Sequence, residues 1–358
     1  MSSKNKVLKN IFSKSQVIAV DEFIETALYN KKIGYYVKND PFGKKGDFIT
    51  APLISFIFSE MIAIWLVSLW AKLDEPKNFN IVELGPGSGR MFKTINNTLK
   101  KFPTLYKSAN FYLFEKSASL KKIQKKNIND TKITWINNFD KIKKGPIIFF
   151  GNEFFDALPI KQFKKKKNKL FEVFFKLNKR LILSKVLKNA SKEDIESISK
   201  YETLKDQNFI EYPKLGLKEL NKIIKKINKN TGGVLIIDYG YLKQENKDTL
   251  QSIKNHKKNK ILENIGEADI TSLVNFSLLK EYFKINKLNV SEIVNQNTFL
   301  KKLGILERAE ILSKKMSFKE KADLYLRIKR LLDNKHMGEL FKVIFASRLK
   351  TKKILGFH

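Results

Sequence analysis

Asn80-Ile81-Val82-Glu83-Leu84-Gly85-Pro86-Gly87-Ser88-Gly89-Arg90-Met91 is the stretch on which the fold of this chain turns. An apolar run ends in an acid, glycine follows at three alternate positions, and an amphipathic segment continues through Ile95 and Leu99. That order predicts a buried strand, a tight turn and the start of a helix. Glycine is needed in such a turn where φ is positive, or where a ligand touches bare backbone. The spacing Gly85-x-Gly87-x-Gly89 is not the dinucleotide fingerprint, and no Lys-Ser/Thr follows it as in a phosphate loop. Glu83, just ahead of the glycines, would repel phosphate but suits a cationic ligand. The sulfonium and amino group of S-adenosylmethionine make such a ligand, and Glu115 downstream fits the same expectation.

With 358 residues, the chain is long enough for one large core with additions or for two domains. No apolar run approaches the ~20 residues that span a bilayer; the best candidate, Phe56 to Leu73, is interrupted by Ser59, Glu60 and Ser68. No apolar h-region follows the basic N-terminus, so no secretory signal is expected. The absence of cysteine excludes disulfides, thiolate catalysis and cysteine-held metal. Three scattered histidines offer no ligand set, so no metal is expected. A cytoplasmic setting fits, with the mitochondrial matrix as the alternative.

The net charge of +34 invites a nucleic-acid partner. Only six of the 70 basic residues are arginine, however, and the lysines are spread along the whole chain. Nucleic-acid footprints cluster, with arginine and stacking aromatics. The one dense run, Lys164 to Lys167, lies between two strand-like segments and reads as a solvated hairpin tip. Nucleic-acid binding is therefore not expected.

In order, residues 1–20 read as a basic flexible arm, and 21–75 as a helical and loop extension ending in a long apolar helix from Ile54 to about Leu73. Residues 76–160 hold the first part of the core, with strands at Asn110–Phe114, Ile133–Ile136 and Pro146–Phe150. Residues 161–213 read as an inserted hairpin region, and 214–240 as a core helix and the strand Val234–Ile237. A loop insertion at 241–270, core completion at 271–348 and a tail at 349–358 follow. Strands alternating with helices predict an α/β fold, a mainly parallel sheet with helices on both faces.

Several phrases occur in a fixed order: Gly46-Asp47-Phe48-Ile49-Thr50, Val82-Glu83-Leu84-Gly85-Pro86-Gly87, Asn152-Glu153-Phe154-Phe155-Asp156-Ala157-Leu158-Pro159 and Ile237-Asp238-Tyr239-Gly240. Asp248-Thr249-Leu250, His256, Gly266-Glu267-Ala268-Asp269-Ile270-Thr271, Thr298-Phe299-Leu300 and Met337-Gly338 continue the series. Together they resemble the MidA family of class I S-adenosylmethionine-dependent methyltransferases over roughly residues 20 to 348. The resemblance implies a Rossmann-like sheet, S-adenosylmethionine as cofactor, and a protein substrate. Mitochondrial members are protein-arginine methyltransferases that assist respiratory complex I assembly, so a complex I subunit is the implied acceptor and a homodimer is allowed. Three departures stand out: Leu53 where the family has Glu, Ser88 where it has Arg, and Asn275 where it has Asp.

The expected cofactor residues are Glu83, Gly85, Pro86, Gly87, Gly89, Glu115, Asn137, Asn138 and Asn152. Ligands of open α/β sheets lie beyond the carboxyl ends of the strands, at the switch point. Glu115 would take both ribose hydroxyls there, its alternative being a surface acid beside Lys116; Asn137 and Asn138 would read the adenine edge or serve as ordinary loop residues. Glu153 and Asp156, three apart, would converge on a guanidinium if their segment is helical, holding it by charge-assisted bonds and helping to remove its proton. The alternative is an N-cap with a first-turn acid. His256 is a third candidate for proton transfer, against a solvated loop histidine. Asp47, Phe48, Asp238, Tyr239 and Asp269 are expected to line the substrate cleft. The implied reaction is displacement at the S-methyl carbon by a substrate nitrogen; the same fold serves small molecules or RNA, and an assembly chaperone with little turnover is the other alternative.

Overall fold

Strand Phe79–Leu84 is buried at every position, as a strand covered on both faces must be. In the computed structural model, which describes residues 3–13, 15–38, 50–243, 246–349 and 353–358, it is the centre of a mainly parallel sheet. Asp47 and Phe48 lie outside the described residues. The strands run in the order Asn289–Val290, Phe341–Ser347, Gly232–Tyr241, Ile147–Asn152, Phe79–Leu84, Ala109–Phe114, Ile133–Ile136. Pairing is parallel from Gly232–Tyr241 to Ile133–Ile136, and antiparallel between Gly232–Tyr241 and Phe341–Ser347. Strand order therefore reverses between Phe79–Leu84 and Ile147–Asn152, which makes their carboxyl ends the switch point.

The described chain forms two compact units, each drawn from three stretches. The parallel-sheet unit takes 49–154, 222–240 and 283–358; the other takes 1–48, 155–221 and 241–282. In the parallel-sheet unit, Phe56–Lys72 and Arg90–Leu99 pack into one core with the sheet through Trp65, Leu69, Phe92, Ile95 and Phe111. The long apolar helix expected from Ile54 is broken at Ser55, whose φ of −148° is extended. Its hydroxyl caps the second helix by accepting from Ile57 N.

The second unit holds an antiparallel sheet, Val17–Ala19, Lys169–Leu177, Lys161–Lys166 and Phe209–Tyr212, with Leu183–Asn189 paired to Lys169–Leu177. The lysine run 164–167 is its exposed hairpin tip, as the alternation implied. A smaller sheet comprises Lys257–Asn259, Gln251–Lys254 and Asp269–Thr271.

Several boundaries need correction. Residues 1–20 are not a flexible arm: Ser3–Ile11 is helical and Val17–Ala19 pairs with Phe174–Lys176, while Leu8, Ile11, Phe12 and Ile18 are buried. Lysines between those apolar positions hid the amphipathic face. The 21–75 extension divides, with Val20–Tyr29 in one unit and Phe56–Lys72 in the other. Segment 161–213 is most of a sheet rather than an inserted hairpin, and 241–270 contributes a second sheet. The 349–358 tail places Leu349, Ile354 and Phe357 in the parallel-sheet core, so it is part of the fold.

Candidate active site at the switch point

Glu83 sits one residue before the end of its strand, beside Leu113 and Phe150 on the flanking strands. It is 3% exposed, and its Oε2 has no hydrogen-bond partner among the described residues. Burial pushes its carboxyl up to about 8. An acid is kept here against its own solvation, a standing hint of function rather than stability.

The turn that follows is built from left-handed backbone, with φ of +62° at Gly85, +54° at Gly87 and +78° at Gly89. A Cβ at Gly85 would lie 2.7 Å from Phe154 Cδ2, so glycine is required there for space as well as for φ. Gly89 then starts helix Arg90–Leu99.

Helix Ala118–Ile128 braces the turn. Gln124, fully buried, donates to Gly87 O at 2.9 Å and to Glu115 Oε2 at 3.1 Å, and accepts from Trp135 Nε1 at 3.0 Å. Asn127 donates to Ser88 O at 2.8 Å. Glu115 also accepts from Ser117 N at 2.8 Å, and burial raises its carboxyl. It is 8% exposed, so it is not the surface acid of the alternative. Asn137 and Asn138 are exposed in the loop after Ile133–Ile136, and Asn138 Oδ1 accepts from Asp140 N at 3.1 Å.

At the end of Ile147–Asn152 the chain turns sharply. Asn152 Nδ2 donates to Glu153 Oε1 at 3.0 Å, and Glu153 has φ +53°, an uncommon conformation for a residue with a Cβ. No helix covers 153–160, so the convergence of Glu153 and Asp156 on one helical face is not found. The units divide between Phe154 and Phe155, leaving Glu153 in one and Asp156 in the other. Asp238 is fully buried and accepts from Phe154 N at 3.1 Å and Tyr239 N at 2.9 Å, which ties this turn to the neighbouring strand. Tyr239 packs on Phe341, ring centroids 4.0 Å apart.

In the second unit, Asp156 is buried and its carboxyl is pushed up to about 7. Asp269, also buried, accepts from Tyr36 Oη at 2.8 Å and Ile270 N at 2.8 Å. Tyr36 stacks on Tyr29, whose hydroxyl donates to Ala157 O at 2.9 Å. His256 stands on the exposed tip of the hairpin Gln251–Asn259 with φ +60°. Sequence reading missed Gln124, Trp135, Phe154 and Tyr36. The Gly34-Tyr35-Tyr36 run was a signal for the last; nothing local marked Gln124.

A family model for S-adenosyl-L-methionine-dependent methyltransferases matches residues 61–294. The chain belongs to this family. Among similar proteins, "Protein arginine methyltransferase NDUFAF7, mitochondrial" of Danio rerio is 31% identical over 389 residues, with 99% of this chain and 89% of that protein covered. The Homo sapiens protein of the same name is 30% identical, with 95% and 81% covered. The resemblance to MidA-type methyltransferases is thus borne out. A solved structure from Burkholderia thailandensis, bound to S-adenosylhomocysteine, superposes with a TM-score of 0.83 at 19% identity, covering 99% of this chain and 94% of that one. At that identity it shows the class I methyltransferase fold alone. Family membership makes the chain a methyltransferase with S-adenosylmethionine as its methyl donor.

Proposed function

We propose that this methyltransferase modifies arginine nitrogen on a protein, a respiratory complex I subunit being the acceptor that the family resemblance implies. One observation carries the reading: relatives named as protein arginine methyltransferases align with it over nearly its whole length. It holds equally for a bacterial cytoplasm and a mitochondrial matrix.

The residues at the switch point suit the cofactor. An orphaned, buried Glu83 Oε2 calls for a cation, and left-handed glycines at 85, 87 and 89 leave backbone bare of side chains. We assign Glu83 to the cationic end, Gly85, Pro86, Gly87 and Gly89 to close backbone approach, and Glu115 to the ribose hydroxyls. Asn137 and Asn138 take the adenine edge, and Asn152 borders the methyl. When bound, S-adenosylmethionine supplies an electrophilic methyl group on a positive sulfur.

The acceptor side is assigned residue by residue. Glu153, oriented by the Asn152 amide, offers a carboxylate to a guanidinium, the pairing that fixes its plane as well as its charge. Asp156, with a carboxyl near neutrality, is suited to hold the proton that leaves the nitrogen. His256 is the remaining candidate for that proton. Asp47, Phe48, Asp238, Tyr239 and Asp269 are assigned to the acceptor's surroundings, and the hydrogen bonds of Asp238 suit a role in holding the Phe154 turn.

The test is incubation of the purified chain with methyl-labelled S-adenosylmethionine and a lysate of its own cell type. Label in a protein band, recovered as methylarginine after hydrolysis, is expected. Label in RNA or small molecules, or cofactor binding without transfer, would overturn the reading.

A further inference from the structure

In the second unit, one side of the larger sheet ends in strand Leu183–Asn189, which pairs with Lys169–Leu177. The register runs unbroken from Leu183 opposite Leu177 to Asn189 opposite Phe171, with no bulge. Two flanking bonds fix its phase: Ala190 N donates to Leu170 O and Asn178 N to Ile182 O, each at 3.0 Å. Bonding alternates along an antiparallel pair, so Ser184, Val186 and Lys188 direct their backbone groups to Lys169–Leu177. Leu183, Lys185, Leu187 and Asn189 turn theirs outward, and among the described residues nothing pairs with those N–H and C=O groups.

An open row of this kind is a template for another strand, and folded proteins blunt it by shortness, proline, a bulge or a cover. Leu183–Asn189 is seven residues long and has no proline, and Ser184, Lys185, Lys188 and Asn189 are exposed. Phe209–Tyr212, at the other end of the sheet, is buried at every position. Lysine is the remaining guard of an edge, but each lysine here is drawn back to a partner in its own unit. Lys185 Nζ pairs with Asp248 Oδ2, and Lys188 Nζ lies 4.7 Å from the centroid of the Phe174 ring.

Charge selects the partner. From Val173 to Lys192 the chain carries Lys176, Lys179, Arg180, Lys185, Lys188 and Lys192 and no acid. Lys179 and Arg180 are exposed in the turn that leads into the strand. A second copy of this chain would bring the same lysines against one another, and like charges across a strand pair are destabilising. An acidic strand meets the opposite charge along the whole edge. We propose that Leu183–Asn189 binds an extended acidic segment of a partner protein as an added strand. Main-chain bonds to Leu183, Lys185, Leu187 and Asn189 supply the pairing, and the basic side chains supply the preference for acids.

The test titrates the full chain with a capped, fluorescein-labelled heptapeptide of alternating glutamate and valine, read by anisotropy and by amide hydrogen exchange. Without peptide, exchange should be fast at Leu183, Lys185, Leu187 and Asn189 and slow at Ser184, Val186 and Lys188. Saturating peptide should slow the first four at least tenfold. The same peptide N-methylated at its central amides keeps its charge but loses strand pairing, and should bind at least tenfold more weakly. A version with lysine for glutamate should weaken as much. Lys188→Glu should also lower peptide affinity at least tenfold, with wild-type affinity for S-adenosylmethionine and slow exchange at Ser184 and Val186 showing that the fold is kept. Equal binding of the N-methylated peptide, binding without slower exchange at the four outward amides, or no saturable binding would each overturn the proposal. Protection of those amides that grows with protein concentration in the absence of peptide would overturn it too, by assigning the edge to a second copy of the chain.

Discussion

Replacing Glu83 by Gln tests the cofactor site through protons rather than turnover. Raising this carboxyl from 4.5 to about 8 costs its ionised form about 5 kcal/mol in the free protein, at 1.36 kcal/mol per pH unit. The sign follows from linkage. Below pH 4.5 both folded and unfolded chains hold the proton, and the group costs nothing. As pH rises toward 8 the unfolded chain ionises while the folded chain does not, so folding stability is lost across that window. Glu83→Gln lacks this dependence, and the free variant should be the more stable protein at pH 8. A cation seated beside Glu83 reverses the balance by favouring the carboxylate. At pH 7, one unit below its value in the free protein, Glu83 is about nine-tenths protonated. Binding of S-adenosylmethionine should therefore release about 0.9 proton, and Glu83→Gln should release about none. Calorimetry in two buffers of different ionisation enthalpy counts these protons directly. Equal proton release by wild type and Glu83→Gln would refute the placement of the cationic end at Glu83, whatever the activity of either protein.

Four further outcomes are expected. Gly87→Val should abolish calorimetric binding of S-adenosylmethionine with the circular dichroism spectrum retained, because a β-branched residue resists the φ of +54° and adds bulk where the proposed site brings backbone to ligand. Gln124→Met should fill the same space but leave Gly87 O, Glu115 and Trp135 without their shared partner, weakening cofactor affinity by about 1–3 kcal/mol; unchanged affinity would show that the brace is dispensable. Glu153→Gln should lower single-turnover methyl transfer about tenfold to a thousandfold with cofactor affinity nearly intact, whereas full turnover would move the acceptor group elsewhere. Lys161→Met should cost about 3–5 kcal/mol in denaturant unfolding, since it strands Glu172, whose side chain is 7% exposed, and leaves buried Asp194 with Lys214 as its remaining lysine partner.

The sheet was legible because its strands are short apolar runs closed by turn chemistry. Ile133–Ile136 and the strands closing on Leu84 and Phe114 stand where the pattern put them, and the glycine turn has the left-handed backbone its composition demanded. The two-unit division was not legible. Each unit is assembled from three separated stretches, and the boundary at Phe154–Phe155 falls inside the phrase that most resembles the family. A contiguous motif invites one local element, and hence the expectation that Glu153 and Asp156 share a helix. The left-handed backbone of Glu153 could not be foreseen, because a non-glycine residue is held there only by its surroundings. Here those are the Ile237 carbonyl accepting its N–H at 3.0 Å and Asp238 accepting from Phe154 N, both contributed by a strand more than eighty residues away.

The same reasoning separates two kinds of site residue. Glu83, the glycines and Glu115 announce themselves as candidates because of position alone, at or just past the end of an apolar run. Gln124 does not, since a buried amide in a lysine-rich helix looks like any other polar residue until its three partners are known. Yet it is the group that couples the turn to Glu115 and Trp135. The backbone of this site is thus encoded locally by glycine, while its bracing depends on tertiary contacts. Substitutions at glycine should therefore act on the shape of the turn, and substitutions at Gln124 on its rigidity. Hydrogen exchange at the amides of Gly85, Gly87, Ser88 and Gly89 can distinguish the two: faster exchange is expected in Gln124→Met, and its absence would mean the turn holds its shape unaided.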